Sequence, residues 1–478
     1  MRTPRLLISC LALVGLAAFG QSADVAPTWA TYRGNPQRTA SDGKPGPAKP
    51  NVLWVLQAKE HFVATPVPAG DRLFISGLGA FNVSAVHCLN TDPKTPADKR
   101  AIWTKTTPAL KLPVVSAPAI ADGRVIFGDG MHQTDGAILH CLGLDKGLRL
   151  WQLRTPSPDR LVHLESTPTI NAGKAYMGGG SLGVIAVDVA KVTLDGKAMD
   201  QAAIQKVIED RWAELQKKFE EEKKKDPDFA IPPTEDDLPK AAPTLLWKQG
   251  QGKWHVDAPV NVIGNDVLVG SSFLDKEKEG DRALICLEAD GGKIKWRTPL
   301  TLNPWGGAAV HDKVAVVTGS SIGYYPGQLK GAKGEIGAYE LGSGKEIWKK
   351  EVQGGVTSCA ALADGLAICT ATDGKVRAFS LADGSRAWIY DSKTPYFAPP
   401  AVSDGVVYAA DLNGVVHAIN LKDGSVKWTL DLGADPVKAP GAVYGGPVVQ
   451  NGRVYVATCN MEGVHAGKPT VVVCIGEK

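Results

Sequence analysis

From residue 51 onward the chain sets short apolar runs between glycine-bearing turns, and the pattern repeats. One unit reads as a small residue or proline, a short apolar strand, a turn, a second and third strand, and a last segment ending in Trp. The clearest copies run from Ala398 to Trp428 and from Ser358 to Trp388. Asp404-Gly405 and Asp423-Gly424 supply the positive φ that tight hairpins need. The strands are rich in Val, Ile and Ala and alternate only weakly, which suits sheets covered on both faces.

Five copies end in Gly-x-x-x-Trp: Gly147/Trp151, Gly292/Trp296, Gly344/Trp348, Gly384/Trp388 and Gly424/Trp428. Trp54, Trp103 and Trp247 end the same kind of strand without the glycine. Successive Trp intervals are 49, 48, 96, 49, 52, 40 and 40 residues, and the outlier becomes 42 once 190–243 is set aside as an insertion. First hairpins begin near Thr65, Ala117, Thr167, Ala258, Ala308, Cys359, Pro399 and Gly446. Trp54 precedes the first of these and nothing matches it after Thr470, so the repeat is offset by one strand. The pattern predicts an all-β, eight-bladed β-propeller over 51–478. A strand through Trp54 completes the last blade, and closure removes exposed sheet edges.

The insertion, 190–243, falls between the third and fourth strands of blade 3 and carries 13 acidic and 10 basic residues. Ile204, Ile208, Trp212, Leu215 and Phe219 form a helical stripe, and Asp226-Pro227 ends it. It reads as a helix packed along a blade edge or, using Trp212 and Phe219, as a partner-docking element.

The first twenty residues have export-signal form: Arg2 and Arg5, an apolar run from Leu6 to Ala18, and small residues favouring cleavage after Gly20. A 21–50 extension then leads into the propeller. Cys10 sits inside the apolar run rather than after it, which argues against lipid anchoring there. No later segment is long and apolar enough to span a bilayer. The expected chain is a monomer, periplasmic or secreted. A formal charge of +3 with 22% charged residues gives no electrostatic reason to bind nucleic acid.

Export implies an oxidising compartment. Cys88, Cys141, Cys286 and Cys474 recur in matching contexts and read as small core positions. Cys359 and Cys369 flank Ala363-Asp364-Gly365 at equal distances, which allows a cross-strand disulfide. There is no Cys-x-x-Cys, so zinc ribbons and thioredoxin-type sites have no support.

The Gly-x-x-x-Trp strand ends, with the stretch Trp29-Ala-Thr-Tyr-Arg-Gly-Asn-Pro-Gln-Arg-Thr39, resemble the quinoprotein-like (PQQ-repeat) β-propellers. That group includes pyrroloquinoline-quinone (PQQ) alcohol dehydrogenases and the barrel-assembly scaffold lipoprotein BamB. The resemblance implies that the repeated Trp residues (54, 103, 151, 247, 296, 348, 388 and 428) dock neighbouring blades. It is silent on activity. The dehydrogenases commonly carry two adjacent cysteines, a stacking Trp and a calcium held by acidic and amide side chains. This sequence has no adjacent cysteine pair and no matching calcium ligands, and only Asn303-Pro304-Trp305 is similar. The chain therefore sits nearer the BamB type.

Gly178-x-Gly180-x-x-Gly183 and Gly179-x-Ser181-x-Gly183 fit a dinucleotide pattern and a nucleophile elbow. Both chemistries need a following helix, and Val184-Ile-Ala-Val187 reads as a strand. Residues entering the first, innermost strands ring one channel mouth: His61, Phe62, His163, Glu165, Trp254, His255, Asp257, Trp305, Tyr396, Phe397 and Tyr444. They plug the channel or form a funnel for a protein, glycan or small ligand. Because His61, His163 and His255 come from different blades, no shared metal is expected, and no catalytic residue is assigned. The function read from the sequence is an exported, non-catalytic binding scaffold in envelope assembly. The alternative is a PQQ- and calcium-dependent dehydrogenase.

Overall fold

Six of the eight repeats fold as an antiparallel sheet whose four strands follow one another in sequence. The computed structural model describes residues 29–132, 134, 136–155 and 162–477, so the expected signal and Cys10 lie outside the described residues. These residues form eight sheets, seven of four strands and one of five. Blades 1 to 7 span 67–106, 119–155, 169–249, 261–299, 308–353, 361–391 and 401–431. Blade 8 combines 448–476 with the N-terminal strand Asn51–Ala58, which pairs with Thr470–Gly476 and closes the ring. First strands neighbour one another around the axis and are buried, while fourth strands are half exposed.

The repeat Trp has a fixed environment. On the adjacent third strand its partner is always small: Cys88 for Trp103, Cys141 for Trp151, Cys286 for Trp296 and Cys474 for Trp54. Ala186, Ala338, Ala378 and Ala418 face Trp247, Trp348, Trp388 and Trp428. Seven of these indoles donate to a carbonyl on the neighbouring repeat or the N-terminal segment, as Trp388 Nε1 does to Leu421 O at 2.7 Å. Trp151 is the exception. Beside it the insertion replaces the turn, Arg124 takes the Val189 carbonyl, and the indole nitrogen is buried without a partner among the described residues.

The insertion extends the third strand into a hairpin, Val184–Leu194 with Lys197–Asp200, and then forms a helix, Gln201–Lys225. The Asp200 carboxylate accepts from Ala203 N, and three lysines occupy the last turn, so both ends suit the helix dipole. Ile204 and Ile208 are fully buried, with Trp212 and Leu215 partly covered beside Trp151. Phe219 lies further out under the Lys223 ammonium.

The possible Cys359–Cys369 disulfide is not formed, and both are free buried thiols. The hairpin pairs Ala361 with Ile368 and Ala363 with Leu366, so Cys369 is in register with residue 360. Equal spacing about Asp364 misses the two-residue turn centre by half a residue. That one-step offset sends the two side chains to opposite faces.

The extension from Trp29 to Ser41 threads the channel axis. Its carbonyls accept from the first strands in turn: Trp29 from Ile120, Ala30 from Ile170, Pro36 from Val310, Gln37 from Leu362, Thr39 from Val402 and Ala40 from Val449. Blade 4 joins through Asn261 Nδ2 to Pro36 O at 2.9 Å and Arg38 Nη2 to Val260 O at 2.9 Å. Arg38 is fully buried, and among the described residues no carboxylate pairs with it. It also reaches Ala308 O, Tyr32 O and Thr31 Oγ1. The segment then leaves across the first turns of blades 7 and 8, with Lys44 O accepting from Ser403 Oγ and Asp42 Oδ2 from Asn451 N. One end of the channel is thereby closed.

Candidate functional site

Residues entering the first strands share the opposite mouth with the loops joining second to third strands. Isolated backbone pairs hold the two sets together: His61 with Leu78, His255 with Ser272 and Asn303 with Ser320. The Gly178–Gly183 motif is one of these loops and runs into strand Val184–Leu194, without the helix either glycine chemistry needs.

The sequence-selected residues separate into two groups. Over blades 6 to 8 and 1 the aromatics pack inward. Phe62, Tyr396 and Phe397 are fully buried, and Phe397 meets Tyr444 edge-on at 5.2 Å between ring centres. His61 is half-buried, and its Nδ1 accepts from Asn460 N at 3.1 Å. Trp254 is also a core residue. Gly250 has no Cβ and lets the indole fold back onto its backbone between blades 3 and 4. Trp305 alone among the rim tryptophans stays half-buried at the mouth, its indole nitrogen without a hydrogen-bond partner among the described residues.

The second group gathers over blades 2 to 4. The His163 and His255 rings lie 5.3 Å apart between centres, and both side chains are fully buried. The premise that separate blades keep these histidines apart is therefore corrected, because adjacent first strands converge at the axis. His61 does stand elsewhere. His132, which the sequence reading missed, completes the group at 4.5 Å from His163 and 5.1 Å from His255. It sits on the second-to-third-strand loop of blade 2. Scanning those loops as well as the first-strand entrances would have found it.

Two carboxylates bind the cluster together. Asp257 Oδ1 lies 3.1 Å from His255 Nε2 and 3.6 Å from His163 Nε2. Glu165 Oε1 accepts from His132 N at 2.9 Å and approaches His163 Nδ1 at 3.4 Å. Burial opposes ionisation throughout, but charge pairing mostly prevails. Against burial, Glu165 and Asp257 raise His132 to about 9, and Asp257 raises His255. Burial wins at His163, which is lowered. Against burial, the facing imidazoles hold Glu165 and Asp257 below the usual carboxylate range. One ligand atom each from His132, His163, His255 and Asp257 falls within 4.8 Å of the others. Such a set has the donors of a transition-metal site.

By contrast, the buried Asp129–His140 and Asp411–His417 pairs bridge adjacent strands within their blades. Asp129 accepts from Ile138 N, and Asp411 from Asn413 N and Val415 N, so these carboxylates are spent on loop structure.

The family described as outer membrane protein assembly factor BamB matches residues 46–213 and 304–474. Among solved structures the chain is similar to BamB from Moraxella catarrhalis, at 14% identity and a TM-score of 0.57, covering 90% of this chain and 98% of that one. It is also similar to the quinohemoprotein alcohol dehydrogenase from Comamonas testosteroni, at 15% identity and a TM-score of 0.61, covering 95% and 81%. A europium-containing methanol dehydrogenase aligns at 13% identity with a TM-score of 0.59, covering 94% and 98%. These likenesses carry the fold alone. No curated protein matches the sequence.

Proposed function

The chain belongs to the outer membrane protein assembly factor BamB family, and on that premise we propose that it is an exported, non-catalytic scaffold binding a protein partner at the open mouth of its propeller. The observation that carries the reading is the asymmetry of the channel. The Trp29–Ser41 segment closes one end, while loops at the other expose Phe81, Tyr325, Met461 and Val464 to solvent. Phe229 and Ile231 of the insertion are comparably exposed, but these four share the loops of one face, and exposed apolar side chains on one face are characteristic of docking surfaces. The export-signal form of residues 1–20 supports a place outside the cytoplasm, and envelope assembly is the process the family's description suggests.

The alternative is a quinone-dependent oxidoreductase, but the residues do not fit a quinone with calcium. Calcium takes 6–8 oxygen ligands, roughly. Here imidazoles dominate the polar group, and the Asn303 amide is spent on Phe273 and Arg282. Calorimetry with PQQ and calcium is expected to show no binding.

A photo-crosslinking amino acid at position 81, 325 or 464, with controls at 364 and 404 on the closed face, tests the scaffold reading in the native envelope. A protein joined from the mouth positions and absent from the controls supports it. Equal joining from both faces, or none from the mouth, overturns it.

A further inference from the structure

We propose that His132, His163, His255 and Asp257 hold a divalent first-row transition-metal ion of zinc type, which staples blades 2, 3 and 4 together at the mouth. The site goes beyond the docking reading and stands or falls separately from it.

The first argument is spacing. A tetrahedral ion with bonds of about 2.0–2.1 Å sets its ligand atoms roughly 3.3 Å apart. Asp257 Oδ1 stands 3.1 Å from His255 Nε2 and 3.6 Å from His163 Nε2, on either side of that value. The remaining imidazole comes within reach, since all four offered atoms fall inside 4.8 Å.

The second argument is hydrogen-bond accounting. Among the described residues, both ring nitrogens of His163, both of His255 and Asp257 Oδ1 are buried without an aligned hydrogen-bond partner. Polar atoms withdrawn from water are ordinarily paired, and here three of the five, His163 Nε2, His255 Nε2 and Asp257 Oδ1, face one another. A cation between them would accept the lone pairs of the nitrogens and oxygen that face it. The His163 nitrogen on the far side faces Glu165, the carboxylate–histidine–metal arrangement that fixes tautomer and ring orientation.

The third argument is chemistry and access. Three imidazoles and one carboxylate suit zinc and its neighbours, and are poor in the oxygens calcium or magnesium require. His132 is half exposed at the rim while His163 and His255 are closed in, so an ion would approach from the His132 side. Four protein ligands complete a tetrahedron, which marks a structural ion rather than a catalytic one with an open position.

The test uses the full untagged chain, stripped with chelator, dialysed and titrated with cobalt(II), followed by zinc(II) competition. One equivalent of cobalt with the visible spectrum of tetrahedral nitrogen–oxygen coordination is expected, displaced by one equivalent of zinc. Glu165→Gln is expected to weaken binding about 10–100-fold. His132→Ala and Asp257→Asn should weaken it further and shift the cobalt spectrum. His132→Ala changes a half-exposed loop residue, and its circular dichroism is expected to match the parent. No stoichiometric cobalt binding, calcium bound in preference, or undiminished affinity in folded His132→Ala protein would each overturn the proposal. Crosslinking from position 81 reports on the docking reading separately.

Discussion

Gly424 lies directly beneath the indole of Trp388 in the preceding blade, where a β-carbon would meet ring atoms at 2.8 Å. Gly147 stands in the same relation to Trp103, Gly292 to Trp247, and Gly384 to Trp348, each with positive φ. The Gly and Trp of one Gly-x-x-x-Trp motif therefore serve two different interfaces. The glycine receives the previous blade's indole, and Trp296, Trp348 and Trp388 cover the glycine turn of the next blade. Gly424→Ala should destabilise the fold by about 2–4 kcal/mol, from left-handed strain and overpacking together. Guanidinium unfolding of the single variant measures this.

Arg38 is the centre of the channel closure. Its guanidinium donates to Ala308 O, Val260 O and Tyr32 O and to Thr31 Oγ1. Arg38→Met would remove all four bonds; Thr169 Oγ1 still reaches Val260 O and Thr31 Oγ1, and Asn261 Nδ2 still reaches Ala308 O, so Tyr32 O loses most and the cost is about 1–3 kcal/mol. Limited proteolysis is expected to cut the 29–50 segment in the variant well before it cuts the parent.

Burial pushes the Cys88, Cys286, Cys369 and Cys474 thiols up to about 12 and raises Cys359 as well. Since the thiolate is the nucleophile, native protein at about pH 8 should resist iodoacetamide. Denatured protein should take label at Cys359 and Cys369 without prior reduction, read by peptide mass. Protection of that pair until reductant is added would contradict the register described above.

Loading the proposed metal site should stabilise the ring, because the ion binds the folded arrangement of three blades. At free zinc 100-fold above its dissociation constant, the gain is about 2.7 kcal/mol. Comparing chelated with zinc-loaded protein in guanidinium tests it, and the difference should vanish in His132→Ala.

The insertion helix separates packing from contact along its own stripe. Trp212 is partly covered beside Ile204, Ile208 and Trp151, whereas Phe219 lies towards the free end. Trp212→Ala should lower stability by roughly 1–3 kcal/mol. Phe219→Ala should leave stability within about 0.5 kcal/mol. If the helix docks a partner, Phe219→Ala will reduce partner capture without that stability loss.

Blade number, the closing strand, the turn glycines and the insertion helix were legible in the sequence. Each is written in local pattern repeated at a near-constant period, and a residue such as Gly424 or Trp388 has the same neighbours in every copy. Three features depended on the tertiary structure. Trp254 looked like a rim platform until Gly250 allowed its ring into the core. A Cys359–Cys369 disulfide looked possible until a half-residue shift of the turn centre separated their faces. His132, His163 and His255, up to 123 positions apart in the chain, meet only because the ring brings successive blades to one axis. Sequence by itself determined how each blade folds, since hydrophobic period and turn chemistry act between near neighbours. Which side chains share the mouth, and that Trp29–Ser41 fills the other end, was decided by closure of the ring.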